Sequence, residues 1–292
     1  MNTFRIGIIL YREMTLLNKY LLILLLFAGN ISFSQDYLKE QFDLAKKLYD
    51  EENYFDAITE FKRLQFFDTS NVYLSVSDEL IAQAYKNGGK FNEAIQYFTL
   101  AEINSKNSDD IFRIKIEIVR INILKRTTGN ALRLLDDLIK DERWSNKKDE
   151  INYWRGWTYI FADEWDKATE EFSKISPDHE LTLLCEKTNN KKYSVAFAKI
   201  ASIILPGAGQ FYTGNYINGL LSLGWCALWG YISVNALIEE RVFDGLVVAN
   251  FLWFRFYRGN LENAEKFAVE RNLQISNESL DYLQHNYKGT RP

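Results

Sequence analysis

The residue types that most often carry out chemistry are few in this chain, and they do not converge. His179 and His285 are its only histidines, and Cys185 and Cys226 its only cysteines. No spacing of His and Cys suited to a metal results. Cys226 lies in a long apolar stretch that sets it apart from Cys185, which argues against a disulfide. His179 sits in Ser176-Pro-Asp-His-Glu180, a setting for a solvated helix start or turn rather than for proton transfer. No Gly-x-Ser-x-Gly, His-Glu-x-x-His or paired-carboxylate signature occurs. The glycine-rich segment Pro206-Gly-Ala-Gly-Gln-Phe-Tyr-Thr-Gly214 fails as a phosphate cradle, because no Gly-Lys-Ser/Thr closes it and Tyr212 stands where a dinucleotide fingerprint needs glycine. The expectation is a protein that is not an enzyme, with no catalytic residue, no metal site and no cofactor. Asp and Glu total 39 against 35 Lys and Arg, so no nucleic-acid partner is expected.

The same glycine-rich segment has a structural reading instead. Ile200 to Ile238 contains no Asp, Glu, Lys or Arg, and its last 22 residues, Ile217 to Ile238, would make about 33 Å of helix, enough to cross a hydrocarbon core of about 30 Å. Upstream, Ser194 to Tyr212 is apolar apart from Lys199 but is interrupted at Pro206-Gly207, which reads as a broken span, a re-entrant segment or an interfacial helix. Downstream, Val242 to Tyr257 carries Asp244 and Arg255 near its ends and could be a short span with snorkelling ends. Pro206, Gly207, Gly209, Gln210, Tyr212 and Gly214 are therefore expected to form a membrane turn. The glycines permit close backbone approach, Gln210 satisfies backbone groups freed by the break, and Tyr212 and Tyr216 anchor at the interface.

About half of the chain is periodic. Ala57, Ala94, Ala131 and Ala168 are spaced by 37 residues each time. Four residues later stand Phe61, Phe98, Leu135 and Phe172; three earlier, Tyr54, Phe91, Thr128 and Trp165; twelve earlier, Ala45, Ala82, Val119 and Gly156. Three- and four-residue intervals place these positions on one face of each of two helices. A repeated helical hairpin follows, with small residues where its helices cross and large ones filling the space between units.

At these residues the chain resembles the tetratricopeptide repeat family: Tyr54-Phe-Asp-Ala-Ile-Thr-Glu-Phe61, Phe91-Asn-Glu-Ala-Ile-Gln-Tyr-Phe98 and Trp165-Asp-Lys-Ala-Thr-Glu-Glu-Phe172 follow that family's pattern. The resemblance covers roughly Asp36 to Pro177. Its departures are a period of 37 rather than the usual 34 residues and a degenerate third unit with Asn122 and Thr128 in place of aromatics, expected to be the least regular. In the family the first helix of each hairpin lines a concave face. By that analogy Lys46, Tyr49, Gln83, Lys86, Arg113, Arg120, Tyr153 and Trp157 face a protein or peptide partner of acidic character, although Phe42 and Leu80 stand where the family's carboxylate clamp has polar residues. The segment from Pro206 resembles the start of a membrane-hairpin module of bacterial envelope proteins, in which Pro-Gly-x-Gly-Gln-x-Tyr-x-Gly precedes a hydrophobic helix.

The first 34 residues read as a secretory signal: Lys19, then Tyr20 to Ala28 apolar, then Ser32 and Ser34 at the −3 and −1 positions. A start at Met14 would give it an ordinary length, and an uncleaved anchor would export the repeats as well. The expected fold is all-α, a tetratricopeptide-like helical-hairpin solenoid followed by transmembrane helices and a short C-terminal helix. Its parts are a signal at 1–34, about four repeats over 36–190, a membrane module of two to three hydrophobic helices over 192–258, and an amphipathic tail over 259–292. The expected function is a non-enzymatic adaptor of the bacterial cell envelope, held in the inner membrane with periplasmic repeats, whose partners are a protein or peptide and the lipid bilayer. The alternative is a membrane-complex or transport component whose hairpin is the active part.

Overall fold

The structure, a computed structural model, describes residues 37–292, so the expected signal segment lies outside the described residues. Among them the chain is all-α and divides into two compact units, one up to Trp154 and one comprising Arg155–Arg291.

In the first unit, α1 (residues 37–50) pairs with α2 (Tyr54–Phe67), α3 (Leu74–Asn87) with α4 (Phe91–Asn104), and α5 (Ser108–Leu124) with α6 (Thr128–Lys140). Each helix also packs on its neighbour in sequence, a helical-repeat-like architecture. The alanines of the 37-residue register are fully buried, as are Phe61, Phe98 and Leu135 four residues on. Ala45, Ala57, Phe61 and Leu64 form one cluster with Ile81, and Ala82, Ala94 and Phe98 form the next with Ile114, Ile118 and Ile121. Burying each phenylalanine contributes about 1.5–3 kcal/mol. The third unit forms its hairpin despite its departures. Buried Asn122 donates from Nδ2 to the Ile118 carbonyl at 2.8 Å, and its Oδ1 accepts from Thr127 Oγ1 at 2.8 Å, so polar bonds hold the turn where other units use aromatics. Lys148–Phe161 forms α7 and crosses the division between the units.

The turns inside the hairpins keep the same period. Glu52, Gly89, Arg126 and Asp163 all have positive φ (62°, 71°, 56° and 65°). The following amide in each case donates five residues back, Asn53 to Leu48, Lys90 to Tyr85, Thr127 to Asn122 and Glu164 to Tyr159. This is the Schellman end of a helix, in which one left-handed residue lets the chain reverse and satisfies a terminal carbonyl. Only Gly89 meets it without a Cβ penalty. Glu52→Gly, at an exposed position, is therefore expected to raise stability by about 0.5–1 kcal/mol. Chemical denaturation of the two proteins side by side measures it, and a loss of stability would show that Glu52 contributes more than turn geometry.

In the second unit α8 (Trp165–Ser173) is followed by α9 (Glu180–Lys191), α10 (Val195–Ile204), α11 (Ala208–Tyr212), α12 (Tyr216–Ile238), α13 (Val242–Val248), a π turn (Ala249–Trp253) and α14 (Phe254–Asn286). His179 is the N-cap of α9, its Nδ1 accepting from the Leu181 amide at 3.2 Å while its ring stacks on Phe172. The expected helix-start role is what the geometry holds. Gly156 meets the Phe172 ring, on which a Cβ would close to about 2.5 Å, so the small residue serves Phe172 rather than Ala168 alone. α12 is the one helix, among the described residues, long and apolar enough to cross a membrane.

The expected short C-terminal helix is corrected. α14 has 33 residues and runs through Gly259 without a break. Its buried stripe, Asn260, Ala264, Ala268 and Ile275, continues the packing begun upstream, so Gly259 begins no separate tail.

Candidate functional site

Two groups of residues were singled out by the sequence, and the structure treats them differently. On the first helices of the hairpins, Lys46 is exposed and Gln83 half-buried, and among the described residues neither makes a hydrogen bond or ion pair. Tyr49 Oη accepts from Asn87 Nδ2 at 3.2 Å. Lys86 Nζ lies 2.8 Å from Glu117 Oε2, and the Arg120 guanidinium pairs with the other oxygen of the same carboxylate while lying over the Trp154 ring. Arg113 pairs with Glu79 and Asp110 and lines an open groove of about 650 Å³ with Val76 and Asn107. The side chain of Tyr153 is half-buried. Trp157 is buried, its ring 5.9 Å from that of Tyr287 within the second unit, and does not serve as an accessible contact. The structure thus gathers Lys86 and Arg120 around Glu117 and pairs Arg113 with Glu79, while Lys46 stays exposed and unpaired among the described residues. Lys62, which the periodicity did not flag, lies over the rings of Tyr85 and Tyr97 at 5.8 and 5.3 Å.

The glycine-rich segment, by contrast, converges on a buried polar network. Pro206 has no N–H, so the Ser202 carbonyl four residues earlier loses its helical donor. Asn260 Nδ2 of α14 supplies it at 3.0 Å. The Ile203 carbonyl, freed because the Gly207 amide turns away, accepts from Tyr257 Oη at 3.0 Å. The Gly207 amide itself donates to Asn260 Oδ1 at 2.7 Å, and the Gly209 amide to Ser202 Oγ at 2.8 Å. Gln210, fully buried, accepts from Ser202 Oγ and donates to the Asn260 carbonyl at 2.9 Å and to Ser222 Oγ at 3.3 Å. The expectation that Gln210 satisfies the backbone freed by the break is corrected. Asn260 and Tyr257, three residues apart on one face of α14, do that, and Gln210 locks Asn260 in place. Gly207 is left-handed (φ 92°) at the start of α11, and Gly214 (φ 81°) ends α11 with the Asn215 amide donating to the Gln210 carbonyl. Tyr212 Oη accepts from the Ser194 amide at 3.1 Å with its ring against Tyr193 and Phe197, while Tyr216 is exposed.

A second network ties α14 to the last repeat. Asp163 Oδ1 accepts from Lys192 Nζ at 2.7 Å, Trp165 Nε1 at 2.8 Å and Ser276 Oγ at 2.6 Å. Burial pushes its carboxyl upward, but the bonds from Lys192, Ser276 and Trp165 together outweigh that and hold it below the usual carboxylate range. A depressed carboxylate stabilises the fold above the unfolded-state value of about 3.9, and that contribution is lost as pH falls through the lower folded-state value. Asn keeps one acceptor and tolerates the left-handed turn. Asp163→Asn is therefore expected to lower the melting temperature at pH 7, with the difference from the parent protein narrowing as pH falls below the unfolded-state value of about 3.9 and through the lower folded-state one. A difference that persists unchanged into acid would place the effect on packing rather than charge.

Cys185 is buried and its thiol is pushed up to about 12 by that burial, which makes it inert as a nucleophile. Among the described residues no group of three or more His, Cys, Asp and Glu is arranged to hold a metal ion. Compared with known protein families and with curated proteins, the chain matches none.

Proposed function

We propose that this chain is a non-enzymatic adaptor of the bacterial cell envelope: a tetratricopeptide-like stack that holds a protein or peptide partner, joined to a hairpin embedded in the inner membrane. The observation that carries the reading is the conjunction, in one chain, of hairpins repeated in strict register with an apolar surface that no part of the second unit covers. Phe197, Ile200, Ile203, Ile204 and Leu205 on α10, Ile217, Leu220, Leu221, Leu228, Val234 and Ile238 on α12, and Val242, Phe243, Leu246 and Phe251 beyond it are all exposed. Soluble monomers rarely present a patch of this extent, and the spacing of a bilayer accommodates it.

A two-pass hairpin is supported by the pairing of α12 with the helix that follows. Ser233 Oγ donates to the Gly245 carbonyl at 2.8 Å, Trp225 and Trp229 stack near Phe256, and Ser222 meets the Gln210–Asn260 network. The distal half of α14 then returns to the helices that precede the membrane part, Asn272 bonding both the amide and the carbonyl of Tyr193 and Ser279 lying 2.9 Å from Thr188. On this reading α10 and α11 dip into the bilayer as a re-entrant element, and the repeats and the end of α14 share the periplasmic side.

The test is made in intact cells. Alkaline carbonate is expected to leave the full-length protein in the membrane, and a photo-crosslinker at Lys46 or Gln83 to trap one discrete envelope protein, competed away by purified repeats. No trapped partner, together with rescue of a deletion phenotype by the membrane part alone, would overturn the adaptor. A second reading, with the hairpin as the working part of a membrane complex or transport component, draws support from Glu79 and Glu117, which already pair with Arg113, Lys86 and Arg120. Combined changes at Gly207, Gly209 and Gln210 with expression intact separate the two, since they abolish function only on the second.

A further inference from the structure

We infer that the outer face of α14 is the contact between two copies of this chain within the bilayer, an inference that rests on the membrane reading above. α14 lies level with the middle of α12 where Phe256 meets Trp225 and Trp229 and where Trp253 stands against Gly230. Arg255 and Arg258 flank that level and Glu262 lies one turn further along. All three are exposed, and among the described residues none makes an ion pair or hydrogen bond. At the same depth α12 presents Leu221 and Leu228, and α10 presents Ile203 and Ile204, to the outside. The module is therefore apolar on two sides and charged on the third.

Ionised groups at that depth are retained where they face protein or one another rather than acyl chains. With Asn250, Phe254 and Gly259 the three charged residues line an open groove of about 710 Å³. Both signs are present on this one face, which makes it complementary to itself. A two-fold axis along the membrane normal sets α14 beside the α14 of a second copy, in parallel, and Arg258 of one then faces Glu262 of the other a helical turn away. Gly259 stands between them, and open space lies where its Cβ would be, so the two backbones can approach closely there. Nearby, Lys199 and Glu265 already pair at 2.8 Å and leave Arg255, Arg258 and Glu262 as the charges in need of partners. A single anionic lipid headgroup would answer the arginines but not Glu262.

The full-length protein is reconstituted in uncharged phosphatidylcholine vesicles, and its oligomeric state is counted by single-molecule photobleaching across protein-to-lipid ratios. A dimer is expected, with Arg258→Glu and Glu262→Arg each weakening it ~10-fold or more and the exchanged pair R258E/E262R recovering most of that loss. A monomer at every ratio overturns the inference, as does a dimer indifferent to all three variants. A monomer that retains anionic phospholipid through Arg255 and Arg258 assigns the groove to headgroups instead and equally overturns it. Release of the parent protein by alkaline carbonate would remove the membrane reading and this inference together, whereas a carbonate-resistant monomer removes the inference alone.

Discussion

Gly207→Ala is expected to cost ~2–5 kcal/mol, the sum of a left-handed backbone imposed on a Cβ and an overpacked contact. The residue has φ 92°, and a Cβ there would run into the backbone of Gly219 in α12, whose carbonyl carbon would be 3.0 Å away and whose oxygen would be nearer still. A backbone cannot swing aside as a long side chain does, so α11 and α12 would have to separate. Gly214→Ala is the matched control. It has φ 81°, but nothing lies within 4 Å of its added carbon, so strain alone remains, about 1–2 kcal/mol. Unfolding by SDS titration in mixed micelles measures both. Equal costs at the two positions would show that α11 and α12 are not held as closely as the structure has them.

Asn260→Leu is the second large effect, about 3–6 kcal/mol, because a side chain of similar size replaces a group serving three others. The Gly207 amide and the Ser202 carbonyl each lose their partner, and each buried polar group left bare costs ~1–3 kcal/mol. Gln210 Nε2 loses its 3.2 Å bond to Asn260 Oδ1 but keeps the one to the Asn260 carbonyl. Gln210→Leu should cost less for that reason, and the double variant Q210L/N260L should cost clearly less than the sum of the two, since both residues act on one network. The same titration reads all three proteins. Strict additivity would mean that Gln210 and Asn260 act independently.

The 37-residue spacing made the paired helices and their buried alanines legible before any coordinates, because close helix crossings admit few residue types. The turns inside those hairpins were less legible, for Glu52, Arg126 and Asp163 take the same left-handed backbone as Gly89 without a residue that advertises it. Pro206 announced a break in the apolar segment, yet the groups that repair it, Tyr257 and Asn260, stand some fifty residues downstream and follow no motif. The ion pairs of the repeat face were hidden for a comparable reason. Lys86 and Glu117, or Arg113 and Glu79, lie about one repeat apart, so cations that look unopposed along the chain are neutralised by the adjoining hairpin. Arg255 and Gly259 read as the edges of a short segment, whereas α14 runs through both and buries its stripe from Asn260 onward.

The π turn at Ala249–Trp253 separates two tasks of one long rod. A wide turn of this kind accommodates one residue more than a regular coil and so offsets everything beyond it by about 100° without ending the helix. The half that lies along α12 and the half that carries Tyr257 and Asn260 to the broken end of α10 are thereby phased independently. One uninterrupted helix can face two neighbours whose directions no single heptad could satisfy.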